Sequence, residues 1–171
     1  MQNKTSHKPT RILAVDPGYE RVGIAILEKD GATRERVVFS ECFRTSTKDP
    51  HARRLSLIAE EIHSVITTHA PEALAIEELF FNDNRTTAIK VAEARGVVLS
   101  EAARQGLAVY EYSPLQVKVA VTGYGRSDKS QVIMMVEKLV QMPKKRALDD
   151  EYDAIAIGLT HLACVRPVSY R

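Results

Sequence analysis

The spacing of apolar positions changes along the chain, and each change marks an element. Through the first third, short apolar runs alternate with turn formers: residues 11 to 16, 21 to 29 and 34 to 44 read as three strands. Gly18 and the pair Asp30-Gly31 supply the turns, and the Asp-Gly pair points to a hairpin between the second and third strands. After residue 49 the period becomes helical: Leu55, Ile58, Ile62, Val65 and Ile66 fall on one face, with Asp49 placed as N-cap and Pro50 at the first helical position. Residues 73 to 77, Ala-Leu-Ala-Ile-Glu, are short and apolar, which suits a buried central strand. A helix over residues 86 to 105, a strand over 107 to 110, a short helix over 114 to 121, and helices over 127 to 141 and 149 to 165 complete the order. This order predicts an α/β domain over residues 11 to 166, a mixed five-stranded sheet flanked by helices, preceded by a disordered tail over residues 1 to 10.

Composition narrows the class. A chain of 171 residues, 44% of them hydrophobic, is the size of one domain with one core. Its longest apolar runs fall far below the roughly 20 residues of a membrane span. The first 11 residues are polar and basic without a hydrophobic segment, so they do not read as a secretory signal. Cys42 and Cys164 stand far apart with no Cys-x-x-Cys pattern, which argues against a zinc site or a disulfide framework and fits a reducing cytoplasm. The formal net charge of +2 is small for a nucleic-acid partner, but residues 81 to 146 carry 11 basic side chains against 6 acidic ones. A basic stretch beside an acidic cluster suits an enzyme that holds cations at its centre and phosphates around them; a solvated helix face explains the excess equally well.

The candidate chemistry lies in acids at element ends. Asp16 closes the first strand before Pro17-Gly18, so its side chain leaves the sheet at a carboxyl-terminal strand edge, where α/β sheets place their sites. The alternative is an Asp that caps the following turn. Glu77 repeats the arrangement at the end of the later buried strand, and if the two strands are neighbours both carboxylates reach one edge. In Leu148-Asp149-Asp150-Glu151-Tyr152-Asp153, Asp150 and Asp153 are three apart on one helix face, with Asp149 placed at the helix N-cap. Acids in a first turn also complement the helix dipole. Asp153, followed directly by an apolar run, resists that reading, because an unpaired carboxylate turned to the core is costly unless a cation neutralises it. Asp16, Glu77, Asp150 and Asp153 form a hard oxygen set suited to magnesium or manganese rather than zinc. Two such ions about 4 Å apart activate water and stabilise the leaving oxygen in phosphodiester hydrolysis.

In order along the chain, Asp16-Pro17-Gly18 with Gly23, Ala75-Ile76-Glu77, Ala94-Arg95-Gly96, Gln116-Val117-Lys118, Lys129-Ser130-Gln131 and Asp150-x-x-Asp153-Ala154-Ile155-Ala156-Ile157 resemble the RuvC-type Holliday-junction resolvases, over nearly the whole chain. The resemblance implies a ribonuclease H-like fold and a homodimeric, cytoplasmic endonuclease that resolves four-way DNA junctions in recombination and repair by paired symmetric nicks. It implies that Asp16, Glu77, Asp150 and Asp153 are the catalytic acids and bind Mg2+, two ions per subunit, with Mn2+ as a substitute. Phe80 and Phe81 match aromatic positions near the junction centre, Lys118 and Lys129 match basic positions near the scissile strand, and Arg85 is a further DNA-contact candidate. A RuvA–RuvB branch-migration complex is implied as a partner.

Two positions depart from the family pattern: Glu78 stands where a neutral amide is common, and Asn82 to Arg85 occupy a variable segment. By their own surroundings, Phe80 also suits the core and a helical Lys also suits a solvated face. His161, two turns beyond Asp153, reads as structural, and His51, His63 and His69 show no partner in the sequence. Small and apolar residues of the long helix (Ala88, Val91, Ala92, Ala94) are expected at a two-fold contact. Sugar kinases and actin-like ATPases also use an early Asp-x-Gly but are much longer; RNA-processing relatives share the early acid, and the late Asp150 and Asp153 favour the junction enzyme. A non-catalytic junction binder would lack an acid, and all four are present.

Overall fold

The computed structural model describes residues 9–30, 34–79, 85–143 and 147–165. Its strands are β1 (Thr10–Asp16), β2 (Arg21–Lys29), β3 (Arg36–Arg44), β4 (Ala73–Glu77) and β5 (Ala108–Tyr112). Its helices are α1 (His51–His69), α2 (Arg85–Arg104), α3 (Pro114–Thr122), α4 (Lys129–Leu139) and α5 (Asp149–Cys164). The sheet runs β3-β2-β1-β4-β5, with β1–β2 and β2–β3 antiparallel and β1–β4 and β4–β5 parallel. This is the expected mixed five-stranded sheet. Among the described residues no helix is long and apolar enough to cross a membrane.

Period-2 alternation divides the strand side chains between two cores. Leu13, Val15, Ile24, Ile26, Leu74 and Ile76 pack against Ile58, Ile62 and Val65 of α1 and Ala94 and Val98 of α2. Ile12, Ala14, Ala25, Leu27, Ala73 and Ala75 face the other way, toward Ala154, Ile155 and Ile157 of α5. The α5 side is rich in alanine, and the helix lies close: a Cβ at Gly158 would stand 2.5 Å from Leu27 Cδ1 and 3.1 Å from Ala14 Cβ. Burying each large aliphatic side chain contributes about 1.5–3 kcal/mol.

Several expected details shift. Pro50 is the N-cap of α1, with extended ψ of 149°, and not its first helical residue; the Asp49 N–H is used in the preceding turn, donating to Ser46 O. Helix α4 begins two residues later and ends two residues earlier than expected, and Asp128 caps it: its carboxylate accepts from Gln131 N at 2.9 Å while Gln131 Oε1 accepts from Asp128 N at 3.0 Å. Leu148, not Asp149, is the N-cap of α5, and its N–H donates to Glu151 Oε1 at 3.0 Å. Strand β3 begins two residues later than expected and β5 ends two residues later, because Glu111 and Tyr112 still pair with Ile76 and Glu77. The Asp30-Gly31 turn falls partly outside the described residues, although β2 and β3 pair as a hairpin requires. Ala94, expected at a two-fold contact, is 1% exposed in the core beneath the sheet.

The histidines find partners from distant segments. His51 Nδ1 bonds Tyr19 Oη at 2.7 Å and its Nε2 lies 3.0 Å from Glu93; His63 bonds Glu101 at 2.8 Å; His69 stacks at a tilt on Phe39. His161 is buried, bonded to Tyr112 Oη at 2.9 Å and edge-on to Tyr110, the structural placement expected of it.

Candidate active site

Because β1 and β4 are parallel neighbours in the register Val15↔Ile76, Asp16 and Glu77 end adjacent strands at one edge of the sheet. Alternation from Ala14 and Ala75 sends both carboxylates to the α5 side. Asp16 pairs across the antiparallel ladder with Gly23. A Cβ on Gly23 would lie 2.0 Å from the carbonyl oxygen of Asp150 and 3.2 Å from Asp16 Cβ, so glycine there is what lets the first turn of α5 descend onto the strand ends. Asp16, Glu77 and Asp153 line one cavity of about 300 Å³ together with Lys118 and Lys129. Asp150 and Asp16 line an adjoining depression of about 360 Å³. The four acids singled out in the sequence therefore converge on Asp16.

Their charges are poorly compensated. Burial, then the neighbouring Glu77, Asp153 and Asp150, pushes the Asp16 carboxyl up to about 7. Burial and Asp153 also raise the Glu77 carboxyl. Lys129 Nζ bonds Asp153 Oδ2 at 3.0 Å and lies 3.7 Å from Asp149 Oδ2. Burial works against the Lys129 charge, yet the bond to Asp153 and the nearby Asp149 and Asp150 carry its pKa above the usual lysine value. Arg21 Nη1 stands 3.5 Å from Asp150 Oδ2, and the Cys42 thiol donates to the same oxygen at 3.4 Å. Burial, then Asp150, pushes the thiol up, which keeps it protonated as that donor. With Asp150 drawn to Arg21 and Asp153 to Lys129, no three acid, thiol or imidazole side chains among the described residues enclose a single ion position. The donor set still fits a hard divalent cation: it is all oxygen at its core, and the disfavoured anion of Asp16 is the signature of missing positive charge.

Other residues fix the acids and were not legible in the sequence. Glu151 is fully buried between two candidate acids, accepting from Ser40 Oγ at 2.6 Å and from the Leu148 amide at 3.0 Å. Ser40 and Cys42, two apart on β3, thus hold consecutive residues of α5; that spacing was the only available signal. Arg95 donates from Nε to the Glu77 carbonyl at 3.0 Å and pairs with Glu111, tying α2 to the ends of β4 and β5. Glu78 is exposed, its amide bonded to Tyr112 O at 2.9 Å. Lys118 and Lys129 line the acid cavity beside Asp16, Glu77 and Asp153. Phe80 and Phe81 lie outside the described residues; Arg85 opens α2, and its side chain lies outside them too.

Residues 12–161 match the family model described as crossover junction endodeoxyribonuclease RuvC. Relatives of that name include one from Desulfitobacterium hafniense, 47% identical over 150 residues (88% of this chain, 90% of the relative), and one from Pelotomaculum thermopropionicum, 45% identical over 150 residues (88% and 91%). Among solved structures, Thermus thermophilus RuvC in complex with a Holliday junction substrate superposes with a TM-score of 0.83 at 34% identity, covering 90% of this chain and 93% of that one. The yeast mitochondrial Holliday junction resolvase Ydc2 shares the fold, with a TM-score of 0.67 at 10% identity, covering 94% of this chain and 82% of that one.

Proposed function

The chain belongs to the RuvC family of crossover junction endodeoxyribonucleases, and from that premise we propose that it resolves four-way DNA junctions as a homodimer, by paired symmetric nicks at a site built on Asp16, Glu77, Asp150 and Asp153. The observation that carries the reading is the convergence of these acids on Asp16, whose own anion is disfavoured there. These four residues hold magnesium ions, two per subunit, with manganese as a substitute. When bound, such ions activate a water and stabilise the leaving oxygen of the phosphodiester.

The chain's own residues supply the rest. Lys118 and Lys129 face the cavity and stabilise charge that develops on the phosphate. Lys129 is the counter-charge of Asp153 that a bound cation would replace. Phe80 and Phe81 stack on bases opened at the junction centre, and Arg85 contacts the backbone beside them. The part-buried bonds of Ser40 to Glu151 and of Cys42 to Asp150 hold the acids in place. The two-fold contact uses the exposed face of α2, where Ile89 is 60% exposed and Ala88 and Ala92 are half-buried.

The test compares cleavage of a synthetic four-way junction, a linear duplex and an RNA hairpin, each in magnesium and in EDTA. The expected result is junction cleavage in magnesium alone, with nicks at symmetric positions in opposed strands. Equal cutting of linear duplex, or cutting of the hairpin in preference to the junction, contradicts the reading.

A further inference from the structure

The acids form a ridge between two depressions. Asp16 lines both, but the phosphate contacts assigned so far, Lys118 and Lys129, belong to one. The other carries two cations of its own: Arg21 from the start of β2 and Lys90 from α2, with Glu20 as the acid on the same rim. Arg21 is 55% exposed at its side chain and Lys90 is exposed.

The wall that carries these cations is built rigidly. A Cβ on Gly18 would stand 1.9 Å from the Arg21 carbonyl oxygen, so the β1–β2 turn is as tight as glycine allows. The Tyr19 carbonyl accepts from Thr45 Oγ1 at 2.7 Å, and the Glu20 carbonyl accepts from Thr45 N at 3.1 Å. The buried ring of Tyr19 is clasped on its face by the Arg54 guanidinium at 3.7 Å, with the Lys90 ammonium 5.4 Å from its centroid. Arg21 and Lys90 are therefore presented on a fixed surface.

The pairing across the ridge is symmetric in kind. The two candidate acids of α5 each pair with a cation from a different element: Asp153 with Lys129 of α4 at 3.0 Å, and Asp150 with Arg21 of β2 at 3.5 Å. A DNA strand whose scissile phosphate lies at the acids has neighbouring phosphates on both sides of them. The guanidinium of Arg21 has the forked donors that suit a phosphate.

We propose that Arg21 and Lys90 form a second phosphate-binding site that takes the DNA backbone on the far side of the acids from Lys118 and Lys129, with Arg21 serving in turn as the counter-charge of Asp150 and as a phosphate contact. The site rests on the junction-nuclease reading above.

The test is the affinity of the full-length protein for a fluorescent synthetic four-way junction, measured by anisotropy over a range of potassium chloride, in EDTA and with calcium in place of magnesium. Arg21→Ala and Lys90→Ala should each lower the slope of log affinity against log salt by about 0.7 to 0.9, the value of one lost phosphate contact, while Arg21→Lys keeps the slope. The effect of Arg21→Ala should be larger in calcium than in EDTA, since only without a divalent ion is Arg21 occupied by Asp150; that of Lys90→Ala should be the same in both. Unchanged slopes in both alanine variants, beside a lowered slope in Lys118→Ala, overturn the second site alone. A wild-type protein that neither prefers the junction to duplex nor responds to Lys118→Ala overturns the junction reading and the site with it.

Discussion

Asp16 shows most directly what the fold does to a single residue. Its carboxyl titrates at about 7 in the cation-free protein, because of burial and three acidic neighbours, against about 3.9 in an unfolded chain. Between those values the native state binds more protons than the unfolded state, so stability falls as pH rises through that window and the full penalty stands above it. Asp16→Asn removes the penalty: in EDTA at pH 8 it should raise stability, by at most about 4 kcal/mol at 1.36 per unit, with no gain at pH 4. Thermal melts at the two pH values check this, and a variant less stable than wild type at pH 8 contradicts it. Ser40 is the second case. Losing a hydrogen bond to a buried charged group costs about 1.5–3 kcal/mol, so Ser40→Ala should lower the melting temperature and raise the magnesium needed for half-maximal cleavage, with junction affinity in EDTA unchanged. Asp16 and Glu77 were visible in the sequence because each ends an apolar run, and Asp150 and Asp153 because they stand three apart at the start of an apolar helix. Glu151 was not: a carboxylate in a first helical turn is ordinarily accounted for by the dipole, and no local pattern reports a serine 111 residues away.

At the scale of elements, the close approach of α5 to β2 decides whether the acids meet. Gly23→Ala places a methyl on the Asp150 carbonyl, which must then move away together with the first turn of α5. Cleavage should fall at least tenfold and stability by about 1–3 kcal/mol, as for an overpacked core; wild-type rate and melting temperature in this variant would show that the helix start is free to shift. The strands β1, β2 and β4 were legible because central strands buried on both faces are apolar throughout. Strand β5 was cut short, since Ala108 to Glu111 are exposed and the charged Glu111 interrupts the apolar run before Tyr112, although both still pair with β4. The N-caps of α1 and α5 each stand one residue from the expected position, for one reason. A cap is chosen by which amide needs an acceptor, so Glu151 reaching back to the Leu148 amide outcompetes Asp149, and Pro50 in extended geometry ends the approach to α1. Asp149 is instead a mostly exposed first-turn acid near Lys129.

For the whole molecule, the proposed symmetric resolution would require two copies, and the exposed Ile89 on α2 tests for them. Ile89→Glu should convert a dimer seen by light scattering at micromolar concentration into a monomer with an unchanged melting temperature extrapolated to dilute protein; a wild-type protein that is monomeric and fully active contradicts the two-fold arrangement. The order of elements and the edge on which the acids gather followed from the sequence, whereas the ion pairs of Arg21 and Lys129 depend on contacts between segments far apart and emerge only once α5 is set across the sheet. Four acids acting as one site on junction DNA must each be needed for the cut and not for binding. The measurement is the single-turnover cleavage rate of a four-way junction with Asp16→Asn, Glu77→Gln, Asp150→Asn and Asp153→Asn in magnesium, beside junction affinity in EDTA. All four variants should bind the junction at least as tightly as wild type and cut it slower by orders of magnitude; a variant that cuts at the wild-type rate removes its acid from the site and contradicts the account.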